Sequence, residues 1–425
     1  MSSVAPEPRR SHRRLWIAIP AITVLVLVVI SLGYVAQPRR ATQLILNQVG
    51  SALGLEISAS SGEYRLSPMP SLVVRDVIAR EPGVARPLLR ADRVALSLPW
   101  STIRSRGSDL TINRVHADKA VVDVAALQHW LQQRPPGKTR IPVLADGLEI
   151  NDGTVVGSGW TIGALQIDLP FLAPSRRVQA HASGRFRREG VQVPFSLAVA
   201  MSSPAPDAAI GIAGDVAVHR SDWRLPARIA LSALIRGGGV RLERMKLGAA
   251  ARYEASAIHA PFVTGIAGTL RFGRGMRLEP AAIAVRASGM VPTLDASGKI
   301  ALDDALDIAL AGALRAWPTD WPELPPPLGQ SHVPLPFRLN YTGPSDLSAV
   351  AELALQRDGA TFDGRFRPVE MTDWIGAENA IPLPPLDGRF QAPRLDLAGM
   401  ELHGVDITFD DPQLPAAPAH PGEGR

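Results

Sequence analysis

Cysteine is absent from all 425 residues. Its absence excludes a disulfide framework, a thiolate metal site and a lipid anchor attached through cysteine. An exported fold built from this chain must be held by burial and hydrogen bonds. The chain also lacks a basic body. Its formal charge is +5, but Arg9, Arg10, Arg13, Arg14, Arg39 and Arg40 against Glu7 already supply that much within the first 40 residues. Taking those six from 45 bases and Glu7 from 40 acids leaves 39 of each. A nucleic-acid-binding domain keeps a basic face, and no such block follows residue 40, so that class is set aside.

Signatures of catalysis are missing too. The histidines stand at 12, 116, 129, 181, 219, 259, 332, 403 and 420, no two at ligand-like spacing, and no His-Glu-x-x-His occurs. A zinc centre needs such a cluster. Gly137-Lys138-Thr139 resembles the end of a phosphate loop, but Gln132 stands where the motif needs its first glycine. No Gly-x-Ser-x-Gly elbow is present. Asp303-Asp304 and Asp410-Asp411 are paired acids that suit turns. Asn340-Tyr341-Thr342 matches a glycosylation sequon, which matters only in a eukaryotic secretory route. The expectation is a protein with no catalytic residue, no metal and no cofactor.

One long apolar run stands out. Leu15–Ala36 holds 22 residues without a charge, long enough at about 1.5 Å per residue to cross the roughly 30 Å hydrocarbon core of a bilayer. Pro20 falls in its first third, and Trp16 and Tyr34 suit the two interfaces. A cleaved signal has an apolar region of about 7–15 residues and small residues before the cut. This run is longer, and cleavage after Ala36 would put Tyr34 at a small-residue position. An uncleaved single-pass anchor fits better. Four arginines before the run and two after it favour a cytoplasmic N-terminus. No later stretch is long enough to span again.

The chain then reads as a cytoplasmic basic tail (1–14), a transmembrane helix (15–36), a β-rich body (37–316), a proline-rich connection (317–336), a C-terminal β segment of the same body (337–411) and a disordered tail (412–425). Ala41–Leu53 has the spacing of a short amphipathic helix stopped by Gly54. From Leu55 the period becomes two. Val94, Leu96, Leu98 and Trp100 alternate with small and polar residues. Val191, Val193, Phe195, Leu197, Val199 and Met201 do so more cleanly, and Leu306/Ile308/Leu310 and Val405/Ile407/Phe409 repeat the pattern. Strict alternation marks strands with one apolar face. Asn151-Asp152-Gly153 is a candidate hairpin turn, and Gly237–Gly239 and Gly273–Gly275 separate further strands. Asp123–Gln133 reads as the one internal helix, with Asp123 as its N-cap. Trp317–Pro336 holds seven prolines and cannot be an interior strand.

The expected fold is mainly β: an elongated, curled antiparallel sheet behind one helix, with few short helices. A sheet with one apolar face must cover it. It can pack against a second sheet as a dry sandwich, or curl into an open trough lined for lipid acyl chains. Periodicity alone does not separate these. Candidate lining residues are Val94, Leu96, Leu98, Val191, Val193, Phe195, Leu197 and Val199.

The anchor, the helix ending in Gly54-Leu55-Glu56-Ile57, Ser61–Leu66, Pro68–Val77, Leu89–Trp100 and Leu110–Val115 follow one another in an order that resembles the N-terminal region of AsmA-like proteins. Gly147–Gly153 looks like the hairpin that follows there, and Leu386–Phe390, Leu395–Leu397 and Gly404–Ile407 are similar to the C-terminal region. The resemblance covers residues 15–155 and 383–411. It implies a bacterial inner-membrane protein, related to the larger TamB- and YhdP-like proteins, with a periplasmic β-rich groove and a part in outer-membrane biogenesis or phospholipid transport between membranes. Its partner would be membrane phospholipid. The alternative is an assembly factor that binds an envelope protein through a sheet edge, without lipid transport. No pattern fixes an oligomeric state.

Overall fold

The computed structural model describes residues 54–415 except 66–67, 102–110, 134–142, 206, 238–240, 256–257, 274, 322, 325–327, 377–383 and 398. Strand accounts for 69% of the structure and helix for 5%, so the protein is mainly β, as the alternation predicts. No helix of the described residues is long and apolar enough to cross a membrane. The expected anchor, the expected helix Ala41–Leu53 and Gly137-Lys138-Thr139 lie outside the described residues. The chain divides after His259 into two compact units.

The first unit contains β1 (Glu56–Ser58), β2 (Ser61–Arg65), β3 (Ser71–Arg80), β4 (Pro87–Ser97), β5 (Thr111–Ile112), β6 (Arg114–Asp118), β7 (Val121–Asp123), helix α1 (Val124–Gln133), β8 (Val143–Leu144), β9 (Leu148–Val156), β10 (Trp160–Phe171), β11 (Val178–Arg188), β12 (Val191–Met201), β13 (Ala209–His219), β14 (Arg224–Arg236) and β15 (Arg241–Ala255). β3 pairs with β1 and β2 on one side and with β4 on the other. β4 pairs with β6 and β7, which run parallel to β9. The sheet is therefore mixed, and the all-antiparallel expectation is corrected here. The cause is α1: a helical crossover between β7 and β9 returns the chain in its original direction. From β9 to β15 each strand is antiparallel to the next.

α1 begins where Asp123 caps it, the Ala126 N–H donating to Asp123 Oδ1 at 2.9 Å. Its Trp130 side chain is buried with Leu72, Val74, Leu96, Leu98, Ile112 and Leu144, and Ala126 and Leu127 pack against the same cluster. Ile112 and Leu144 come from the separate parallel pair β5–β8. This end of the sheet is thus closed by a helix and a two-stranded cover. Asn151-Asp152-Gly153 is not the expected hairpin. β9 runs straight through it, with Asp152 at φ 53°. Lys119, at φ 48°, sits at the matching break between β6 and β7. A bulge, like a type I′ turn, calls for positive φ, and of the Asp152-Gly153 pair only Asp152 supplies it.

The second unit runs through β16 (Ile258–Phe272), β17 (Met276–Ala287), β18 (Thr293–Leu302), β19 (Leu306–Ala316), β20 (Leu335–Gly343), β21 (Ala351–Arg357), β22 (Ala360–Phe366), helix α2 (Pro368–Gly376), β23 (Leu386–Leu397) and β24 (Met400–Phe409). Each strand is antiparallel to the next. β19 pairs directly with β20, Leu314 opposite Leu335, so the proline-rich stretch loops out without dividing the sheet. Its Leu324 packs on Ala360, Ala392 and Leu395. α2 starts on Pro368, whose missing N–H costs nothing at a first helical position. The first residues of the expected tail are docked. Arg365 and Arg367 donate to the carbonyls of Pro415 and Gln413, and Leu414 is buried.

Candidate functional site

The eight lining candidates fall in two environments. Val94, Leu96 and Leu98 are 8%, 3% and 1% exposed and belong to the closed core under α1. Their face is filled by the protein's own side chains. Val191, Val193, Phe195, Leu197 and Val199 alternate along β12 and are each half-buried. None of the residues of β11, β12 and β13 is fully buried.

Directly paired residues share a face of a sheet. Val199 faces Ala180 on β11 and Ile212 on β13, and Ile212 faces Leu231 on β14, which faces Leu247 on β15. Leu197 lies in a second row with Ala182, Gly214, Ile229 and Ala249. Phe195 lies in a third with Gly184, Val216, Ala227 and Ala251. These rows make one apolar surface across five strands. The other face carries His181, Arg185 and Arg187 of β11, Gln192 and Ser196 of β12, and Asp215 paired with Arg228 at 3.2 Å. That polar face needs no cover. The apolar face does; its margin at β10 runs into the closed core, through Leu169, Leu172, Val178 and Ala180, and Ala233, Ile235 and Met245 of β14 and β15 are buried as well.

The opposite end of the face is open. There the β9–β10 and β11–β12 turns border a cavity of about 490 Å³, lined by Trp160, Arg187, Arg188, Glu189, Val191 and Gln192 among others. The Trp160 ring stacks on Phe186 at 5.9 Å between centroids. A bulge at Ala164, φ 49°, changes the parity of β10. Ile162 and Ile167 therefore share a face, opposite Phe186 and Ala182. The alternation read from β12 stops at Val191 and does not reach across the turns, so it missed Trp160, Phe186 and Arg188. The available signal was Trp160 itself, a large ring directly after Gly157-Ser158-Gly159.

Polar clusters elsewhere are tied up in the scaffold. His116 lies between Asp118, at 2.7 Å, and Glu149, at 3.2 Å, on the parallel β6–β9 pair. Burial works to raise the Asp118 pKa, but hydrogen bonds and charge from His116 and Arg93 outweigh it and hold the carboxyl below the usual range. Ser196 Oγ lies 3.3 Å from His181 Nε2 on the exposed polar face. No group of His, Asp and Glu among the described residues could hold a metal. No protein-family model, curated protein or solved structure matches this chain.

Proposed function

We propose that the protein holds lipid acyl chains along the apolar face of β11–β15, as an anchored inner-membrane protein with its body in the periplasm. In this non-enzymatic reading it contributes to outer-membrane biogenesis or to phospholipid transport between membranes. One observation carries it. Val191, Val193, Phe195, Leu197 and Val199 lie on a face whose central strands bury no residue, while the same pattern at Val94, Leu96 and Leu98 is capped by α1. A sheet face of this extent left to water is costly, and soluble proteins rarely expose one without a ligand or partner. Acyl chains would cover it without any catalytic group. The AsmA-like order of the N-terminal segments agrees with this reading.

Native mass spectrometry of the full chain, extracted in mild detergent, tests it. Stoichiometric phospholipid, lost on Leu197→Arg with the fold intact, is the expected result. A folded protein with a clean apo mass would remove lipid holding.

A second reading rests on β24. Among the described residues it pairs with β23 alone, and Met400 is 61% and Ile407 38% exposed. Such an edge can accept a strand from an envelope protein. In-cell crosslinking from Leu402 to a protein, with no lipid on the apolar face, would favour it.

A further inference from the structure

The open end of the apolar face carries a chemistry that acyl chains do not need. Arg188 pairs in register with Trp160 on one side and Val191 on the other, which puts its guanidinium stem on the apolar face. Arg187, one residue earlier, pairs with Thr161 and Gln192 and belongs to the polar face. Trp160 is fixed in place. Its ring stacks on Phe186 and lies so close over Gly157 that a Cβ there would meet it. Four strands further along the same end, Trp223, just before β14, and Tyr253 on β15 stand 5.9 Å apart by ring centroid.

The two ends of the face differ. At the end of β10 away from Trp160, Leu169 and Leu172 are buried in the closed core, and Arg176 is spent over the Phe171 ring at 5.5 Å. At the Trp160 end there is the 490 Å³ cavity, and Arg188 is engaged by no carboxylate within ion-pair distance among the described residues. Glu189 borders the same cavity against Arg187 and Arg188, which leaves one net positive charge. A guanidinium beside an indole, at the margin between an apolar surface and water, suits a phosphate ester whose remainder is apolar. Trp and Tyr favour that same boundary because their rings are apolar bodies with a polar edge.

We infer that Arg188 and Trp160 form a subsite for the phosphate of a glycerophospholipid headgroup, with the acyl chains running from Val193 towards Val199. This rests on the lipid reading above and adds to it an orientation and a headgroup charge.

The test uses the full chain in detergent and two probes with the same diazirine-bearing acyl chains, one phosphatidic acid and one diacylglycerol. Adducts are mapped by mass spectrometry. Arg188→Gln is expected to lower the phosphatidic acid yield about tenfold and leave the diacylglycerol yield unchanged. Arg185→Gln, on the polar face of the same strand and outside the lining of the cavity, is expected to change neither. Equal losses from R188Q and R185Q, or equal losses of both probes from R188Q, would overturn the subsite while leaving acyl-chain binding intact. Failure of both probes to label the apolar face of the folded wild type would remove the lipid reading and the subsite together. Protection of Arg188 from phenylglyoxal by inorganic phosphate, without phosphatidic acid labelling, would overturn the lipid source and leave a free-phosphate site.

Discussion

Gly184 on β11 lies directly across from Phe195 on β12, and a Cβ built on Gly184 would stand 3.1 Å from the tip of the Phe195 ring. An aromatic ring laid over a bare glycine covers backbone that would otherwise face water. The second unit repeats the arrangement, with the Phe362 ring against Gly364 and Gly388. Gly184→Val should displace the Phe195 ring and cost about 1–3 kcal/mol, read by urea denaturation. No loss of stability would mean that the ring does not rest there.

The split between a closed core and an open face makes a sharper prediction. Leu96 is 3% exposed beneath α1, while Leu197 is half-buried on the open face. Leu96→Ala should cost about 2–5 kcal/mol, because it removes buried methyl groups and leaves a cavity. Leu197→Ala should cost roughly 1 kcal/mol, since its site is only partly removed from water. The polar changes should separate further. Leu197→Asn should stay folded, and Leu96→Asn should not. Similar losses at the two sites would mean that β12 is covered.

That split could not be read from the residues alone. Val94/Leu96/Leu98 and Val191/Val193/Phe195 have the same period, and period reports that a face is apolar, not what lies on it. β12 has the bounds of the alternating run, Val191 to Met201, with Gln192, Ser196 and Ala198 exposed, while Pro194 and Ala200 are half-buried like the apolar residues. α1 was legible through Asp123 and its apolar spacing. The parallel pairing it creates was not, because β6 and β7 are too short to show a pattern. α2 escaped notice because its Pro368 start follows a strand ending only two residues earlier, at Phe366. The Arg188–Trp160 pairing depends on the register of β10 against β11, shifted by the bulge at Ala164, which no local pattern encodes.

Gly214 and Gly298 play one role in the two units. Each has φ 154°, each sits opposite a leucine (Leu197 and Leu310), and a Cβ on either would collide with a backbone carbonyl of the paired strand. Gly214→Ala should therefore break pairing between β12 and β13 and cost about 1–3 kcal/mol. Hydrogen exchange should report it as faster amide exchange from Leu197 to Val199, with β3 and β4 unaffected. Uniform protection across β12 would refute this local role.

Asp406 holds the last strand through its charge. Arg389 on β23 donates to both of its carboxylate oxygens and Gln391 donates to one, and together they lower its pKa to about 2. An unfolded aspartate titrates near pH 3.9. Because the folded value is the lower one, the contribution is fully present above about pH 4 and is lost as pH falls towards 2. The group is exposed, so salt should weaken the effect. Between pH 5 and pH 2.5, exchange in Met400–Phe409 should accelerate more than in β19 and β20 once intrinsic rates are corrected. Asp406→Asn should bring the faster exchange to neutral pH and remove most of the pH dependence. An Asp406→Asn chain whose β24 still loosened with acid as the wild type does would show that another carboxylate controls the edge.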